Sequence, residues 1–313
     1  MEKPMGGTEI LATRLKSELG AELDDFNILV TYCHPDELRK DKINVLWQHN
    51  NVDDENMVKM MQYKPLVENI DQFVFVSNYQ YEVFKGYFDL PAHKCHVIRN
   101  ATDPFPVVEK PKDRIRLVYT STPWRGLGIL LKAFELLERD DVELEIYSSV
   151  KIYGKEFADE NQHKFQPLFD KAESMRNVKY TEYLPNEQLR ERLKQCHVMA
   201  YPSAFAETSC LAAIEAMMAG CKFVGSTFGA LPETTGVFGE LVPIDKITQS
   251  TKHLNEFVYR YATVLDKTLD SYWSDEMQES LREQVKHFNK YYSWEYRKRE
   301  WVDFLKYARE HKQ

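Results

Sequence analysis

The chain has 313 residues, enough for one large or two ordinary domains, and 43% of them are hydrophobic. A formal charge of −8 and a pI near 5.7 argue against a nucleic-acid binder, and leave at most a local patch for peripheral membrane contact. Mean hydropathy is −0.53, no apolar run approaches membrane-spanning length, and Met1-Glu2-Lys3-Pro4 lacks a signal-peptide pattern. The expectation is a soluble, cytoplasmic protein. Its five cysteines are scattered without a C-x-x-C pair, which reads as small buried hydrophobes rather than a disulfide framework or a structural zinc site.

In chain order, Gly6-Gly7-Thr8-Glu9 leads into Ile10, Leu11, Leu15 and Leu19 at helical spacing, and Gly20 closes that helix. The glycine pair is either a plain turn or a loop that lets a phosphate or sugar approach the backbone. In a doubly wound fold such a loop follows the first strand, yet only four residues precede Met5. Short apolar runs then read as buried parallel strands: 26–31, 43–47, 73–76 and 96–98. The second ends in Gln48-His49-Asn50-Asn51, so His49 sits at a strand's C-terminal end, where open α/β sheets bind ligands. A hydrogen-bonded structural role is the rival reading. Ser77 and Asn78 are placed to cap a helix over 79–87.

Residues 100–111 carry three prolines and no periodicity, the best linker in the chain. The rhythm restarts with strand 115–120, then Ser121-Thr122-Pro123-Trp124-Arg125-Gly126-Leu127-Gly128 and a helix over 129–137. Arg125 falls at the strand-to-helix turn, either as an exposed loop residue or as a fixed cation for phosphate oxygens. Strands follow at 142–147, 178–180, 198–201, 222–225 and 239–242, with a charged helical stretch over 153–176 and a helix that Asn186 caps. Gly229-Ala230-Leu231-Pro232-Glu233 reads as a turn. From Lys252 the chain is helical, with Ser293 capping the final helix.

The stretch from Tyr201 to Gly220 concentrates the chemistry. Glu207 lies in a small-residue loop and Glu215 in an otherwise apolar helix, with Thr208 or Ser209 as the expected N-cap. The amides of Ser209, Cys210 and Leu211 would then face an anion at the positive end of the helix dipole. Glu215 is about 9 Å further along the axis, a separation that suits a ligand with a phosphate at one end and hydroxyls at the other. In the plainer reading Glu207 caps the helix and Glu215 is solvated. Its neighbours Leu211, Ala212, Ile214, Met217 and Met218 mean that this carboxylate needs a partner or a ligand hydroxyl.

With seven residues between Glu207 and Glu215, and Ile214-Glu215-Ala216-Met217 leading to Ala219-Gly220-Cys221, this stretch resembles the E-x7-E signature and E-A-M-A-x-G-x-P-V-V-like run of the retaining GT-B glycosyltransferases often called family 4. Gly6-Gly7-Thr8-Glu9, Asn100-Ala101-Thr102-Asp103, Arg125-Gly126-Leu127, Gly229-Ala230-Leu231-Pro232-Glu233 and Tyr292-Ser293-Trp294 are similar to further family motifs in the same order, so the resemblance spans nearly the whole chain. Three departures are visible, one of them the short N-terminal domain without an obvious first strand. Tyr119-Thr120-Ser121-Thr122 stands where the family commonly has an arginine, and Lys222 where it has a proline after Gly220-Cys221.

The resemblance implies an α/β GT-B fold: two Rossmann-like domains facing each other across a cleft, the N-terminal one shortened. Residues 1–106 would form the acceptor-side domain, 107–288 the nucleotide-sugar domain, and 289–313 a helix crossing back. It implies a nucleoside-diphosphate-sugar donor as co-substrate, a glycan or other hydroxyl acceptor, and no bound metal or further cofactor. Glu215 would accept from ribose hydroxyls, and Ser209, Cys210 and Leu211 would bind the diphosphate with Arg125. Glu207 would contact the transferred sugar, His49 would line the sugar and acceptor site, and Gly6 and Gly7 would approach the donor. The expected activity is metal-independent transfer of a hexose-like sugar with retention. A sugar-nucleotide epimerase or hydrolase, a phosphorylase-like protein and a non-catalytic sugar-nucleotide-binding subunit remain as rivals.

Overall fold

The computed structural model describes residues 7–244 and 250–312. The chain opens with α1 (Gly7–Leu19), β1 (Phe26–Val30), β2 (Ile43–Gln48), α2 (Glu55–Gln62), α3 (Lys64–Glu68), β3 (Gln72–Phe75), α4 (Asn78–Phe88) and β4 (Cys95–Val97). It continues with β5 (Ile115–Tyr119), α5 (Leu127–Leu137), β6 (Val142–Tyr147), α6 (Lys155–Ser174), β7 (Val178–Thr181), α7 (Asn186–Leu193), β8 (Val198–Tyr201) and α8 (Leu211–Met218). Last come β9 (Lys222–Ser226), α9 (Leu231–Thr235), β10 (Glu240–Val242), α10 (Thr251–Asp270), α11 (Asp275–Tyr291) and α12 (Trp294–Glu310). No helix among the described residues is long and apolar enough to cross a membrane.

The strands form two all-parallel sheets, the alternating α/β architecture expected of the sequence. Two compact units follow. One contains 7–103, 207–211 and 290–312; the other contains 104–206 and 212–289. In the first, the sheet order is β1-β2-β3-β4. Strand alternation sends Val45, Trp47, Val74 and Val76 to the face covered by α1 and α12, where Leu11, Leu15, Trp301 and Phe304 close the core. Leu46, Phe73 and Phe75 face Met57, Met61 and Phe84 on the opposite side. Burial on both faces is why these runs read as continuous apolar stretches. Ser77 caps α4 by accepting from the Gln80 amide at 3.1 Å, and Ser293 caps α12 by accepting from Tyr296 at 3.2 Å.

The second unit has sheet order β10-β9-β8-β5-β6-β7. The chain runs outward from β5 through β6 to β7, then returns to place β8 on the other side of β5. That reversal is a topological switch point, and the loops leaving β5 and β8 flank it. The interior includes Leu117, Val118, Leu144, Ile146, Met199, Phe223 and Val224, all fully buried. Lys222, at the position of the family's usual proline, is buried with its Nζ 3.0 Å from Glu240 and donating to the Phe238 carbonyl at 2.8 Å.

Three local expectations are corrected. The helix expected to be capped by Thr208 or Ser209 begins at Leu211, because Cys210 adopts a left-handed φ of 56° and keeps the preceding residues out of the helix. Residues 231–235 form the short α9, with proline in its first turn, rather than a plain turn. Pro185 is the cap of α7, so Asn186 is already inside that helix.

Candidate functional site

In the four-stranded unit, the C-terminal end of β2 is organised by the buried Gln48 side chain. Its Oε1 accepts from the amides of His49 and Asn50, each at 2.9 Å, while its Nε2 donates to the Thr31 carbonyl at 3.1 Å. His49 is therefore held through its backbone, and its ring lies 4.5 Å from that of Trp47. His49 is 9% exposed, and burial pushes its pKa down to about 3, so the ring is neutral at physiological pH. Its Nε2 is a buried atom with no hydrogen-bond partner among the described residues. Native interiors rarely leave such an atom unmatched, so it calls for a functional explanation.

The 207–211 loop belongs to this same unit. Thr208 Oγ1 donates to the His49 carbonyl at 2.9 Å. Glu207, Ser209 and Cys210 are buried, and the left-handed turn at Cys210 redirects the chain into α8. Such a conformation is uncommon for a side chain other than Gly, Asn or Asp and persists where its surroundings enforce it. Gly7 meets the same loop: a Cβ there would lie 3.0 Å from Leu211 Cδ1. The structure thus gathers Gly7, His49, Glu207, Ser209, Cys210 and Leu211 in one unit. Gly6 lies outside the described residues.

In the six-stranded unit, the loops at the switch point touch. Gly126 has φ 112°, and a Cβ there would lie 2.3 Å from the Pro202 carbonyl oxygen; only glycine lets the two backbones approach so closely. Tyr119 donates its hydroxyl to the Thr122 carbonyl at 2.7 Å, and Ser121 Oγ and the Tyr201 hydroxyl are 3.1 Å apart. Ser226 Oγ donates to the Ser203 carbonyl at 2.6 Å. On this framework the Arg125 guanidinium carbon lies 4.4 Å from the Phe205 ring centroid, a cation–π arrangement that fixes a positive charge beside the switch point. Thr122 Oγ1 in the same loop is buried without a hydrogen-bond partner among the described residues.

Glu215, on α8, has the partner its apolar setting demands. Arg190 Nη1 donates to its Oε1 at 2.6 Å, with side-chain exposures of 18% and 14% for arginine and glutamate. Arg190 was not legible as a functional residue, because it sits in the charged run Asn186–Arg192, where every position looks solvated. Phe205 was equally silent, a single aromatic in a loop of small residues.

Two parallel α/β sheets, the second with a switch point flanked by a glycine-bearing loop and an arginine, match the GT-B glycosyltransferase architecture. Residues 101–260, about half of the chain, match the family described as Glycosyl transferases group 1. The chain belongs to that family, and the membership supports a sugar-transfer activity. Solved structures agree on the fold. Sucrose-phosphate synthase from Thermosynechococcus elongatus is 18% identical, with 85% of this chain and 67% of that one covered and a TM-score of 0.62. A UDP-forming α,α-trehalose-phosphate synthase from Burkholderia xenovorans is 15% identical, covering 97% and 78%, with a TM-score of 0.68. The pneumococcal O-GlcNAc transferase GtfA, in complex with UDP and GlcNAc, is 14% identical, covering 97% and 60%, with a TM-score of 0.63. A search of curated proteins found no match.

Proposed function

We propose that this protein is a retaining glycosyltransferase of the family 4 type, moving a sugar from a nucleoside-diphosphate-sugar to a hydroxyl acceptor on a glycan or glycoconjugate. The observation that carries this reading is the switch point of the six-stranded sheet, with Arg125 fixed beside Phe205 in a family whose members transfer sugars. Departure of the diphosphate builds negative charge on its oxygens. Arg125 and the amides at Ser209, Cys210 and Leu211 supply positive charge and donors for that charge, and such preorganised stabilisation lowers the barrier. The anomeric carbon becomes oxocarbenium-like as the bond breaks, and the Glu207 carboxylate offsets that positive charge. Glu215 accepts from the ribose hydroxyls. His49, neutral and with a buried unmatched Nε2, serves as a hydrogen-bond partner for the sugar or acceptor and not as a cation. In this reading no metal takes part, so EDTA leaves turnover unchanged.

A panel of UDP, GDP and ADP in thermal unfolding tests the donor site, since a ligand selective for the folded state raises its apparent stability by mass action. UDP comes first, because the Burkholderia enzyme is UDP-forming and the pneumococcal enzyme was captured with UDP. At about 100 times its Kd a nucleotide adds about 2.7 kcal/mol. No shift with any of the three at millimolar concentration would remove the donor-site assignment.

A further inference from the structure

Arg190, which holds Glu215, is itself held by further contacts, and together these close a ring within the six-stranded unit. Arg190 donates through Nη1 to Glu215 Oε1 at 2.6 Å and through Nη2 to the Pro104 carbonyl at a longer 3.4 Å. Its guanidinium carbon lies 3.8 Å from the Phe105 ring centroid, and Phe105 is itself buried. The Phe105 amide donates to Asn289 Oδ1 at 2.7 Å, and Asn289 Nδ2 donates to the Met218 carbonyl at 3.1 Å. Met218 is the last residue of α8, one turn beyond Glu215. Starting from the Glu215 carboxylate, the path runs through Arg190, Phe105 and Asn289 and returns to the same helix.

An ordinary surface ion pair has no such support, and two long side chains there pay entropy for little gain. Here a planar guanidinium lies over the ring of Phe105, whose backbone amide is tied through Asn289 to the helix bearing the carboxylate, so both partners have few other orientations. A carboxylate can accept about four hydrogen bonds, so an ion pair with Arg190 and recognition of a diol are compatible on one side chain. Lysine would not reproduce this, since it has neither the flat face nor the fork.

We propose that Arg190, seated on Phe105, is a positioning residue that orients the Glu215 carboxylate toward the ribose diol of the nucleotide. The proposal rests on the assignment of Glu215 to the ribose, and the test separates the two. Calorimetry with UDP, GDP and ADP, each beside its 2′-deoxy analogue, measures how well the protein distinguishes ribose from deoxyribose. The parent should favour a ribonucleotide by about tenfold, the size of one hydrogen bond to a charged group. Glu215→Gln should remove most of that preference. Arg190→Ala should also bring it to within about threefold, weakening ribonucleotide binding and leaving the deoxy analogue nearly unchanged. Arg190→Lys and Phe105→Leu, milder changes that guard against loss of folding, should each give an intermediate ratio. If Glu215→Gln lowers the preference while the folded Arg190 variants and Phe105→Leu keep the parental ratio, Arg190 is a structural residue and the proposal is overturned. If the parent binds none of these nucleotides, or Glu215→Gln keeps the ratio, the assignment of Glu215 fails first and takes the proposal with it.

Discussion

Replacing Gly126 with alanine probes the geometry on which the donor site depends. The added Cβ would lie 2.3 Å from the Pro202 carbonyl oxygen and 2.9 Å from its carbon, and neither backbone atom can rotate away. A φ of 112° adds strain for any side chain, about 1–2 kcal/mol by analogy with a left-handed residue. Overpacking adds about 1–3 kcal/mol, giving a central expectation of about 3 kcal/mol. For a unit of this size that corresponds to about 6–12 °C in Tm. Gly86 is the contrasting control. It lies inside α4 with nothing within 4 Å of an added Cβ, so Gly86→Ala should stabilise by about 0.5–1 kcal/mol. Thermal unfolding of both variants by circular dichroism reads the difference. A Gly126→Ala protein melting within about 2 °C of the parent would refute the close approach of the loops after β5 and β8. The same variant should also lose nucleotide-induced stabilisation, because the clash displaces the loop that bears Arg125.

Three other outcomes follow from particular residues. Glu207→Gln should lower sugar transfer by about 10²–10³-fold while nucleotide affinity changes by less than about threefold; equal losses in both would make Glu207 a binding or folding residue. Stability should fall with acidification from about pH 6.5 toward pH 4. Burial lowers His49 to about 3 and His96 and His197 to about 4, whereas the unfolded chain takes up protons near 6.5, so these contributions are complete above that value and are lost below it. His197 shows why: its Nδ1 accepts from the Arg116 amide at 3.0 Å and its Nε2 faces the Pro111 carbonyl at 2.8 Å, a pairing that fits only the neutral ring. Urea unfolding across this range should show a smaller acid loss for His49→Gln than for the parent, and parallel curves would contradict the assignment. Lys222→Ala should destabilise by about 1–3 kcal/mol, since it strands the Phe238 carbonyl that accepts from Nζ; a change below about 0.5 kcal/mol in urea unfolding would show that this buried lysine is dispensable.

The strands were legible because burial on both sheet faces writes itself as short unbroken apolar runs, as in 115–119 and 198–201. Their order was not, because nothing local in β8 says that it pairs with β5 rather than β7. Arg125 was legible from its place between a strand and a helix, where the turn residues Pro123 and Gly126 mark a loop. The ring from Glu215 through Arg190, Phe105 and Asn289 was not. Its members come from four separate stretches, and the charged run around Arg190 looks the same whether solvated or paired. The helix start was misread because a Ser or Thr before an apolar run signals a cap, whereas here the turn is made by the left-handed backbone of Cys210. His49 was picked out by its position at the end of β2, but its lack of a partner for Nε2 emerged only once the packing around Trp47 was known.

Stabilisation of a departing diphosphate by Arg125 is the central step of the proposed reaction. The direct measurement is nucleoside-diphosphate release from UDP-, GDP- and ADP-sugars, with and without sugar acceptors, in the parent and in Arg125→Ala. Release that depends on an acceptor and drops by about 10²–10³-fold in Arg125→Ala, with nucleotide affinity falling far less, is the predicted result. No release above the spontaneous rate with any donor, or release that Arg125→Ala leaves unchanged, would contradict it.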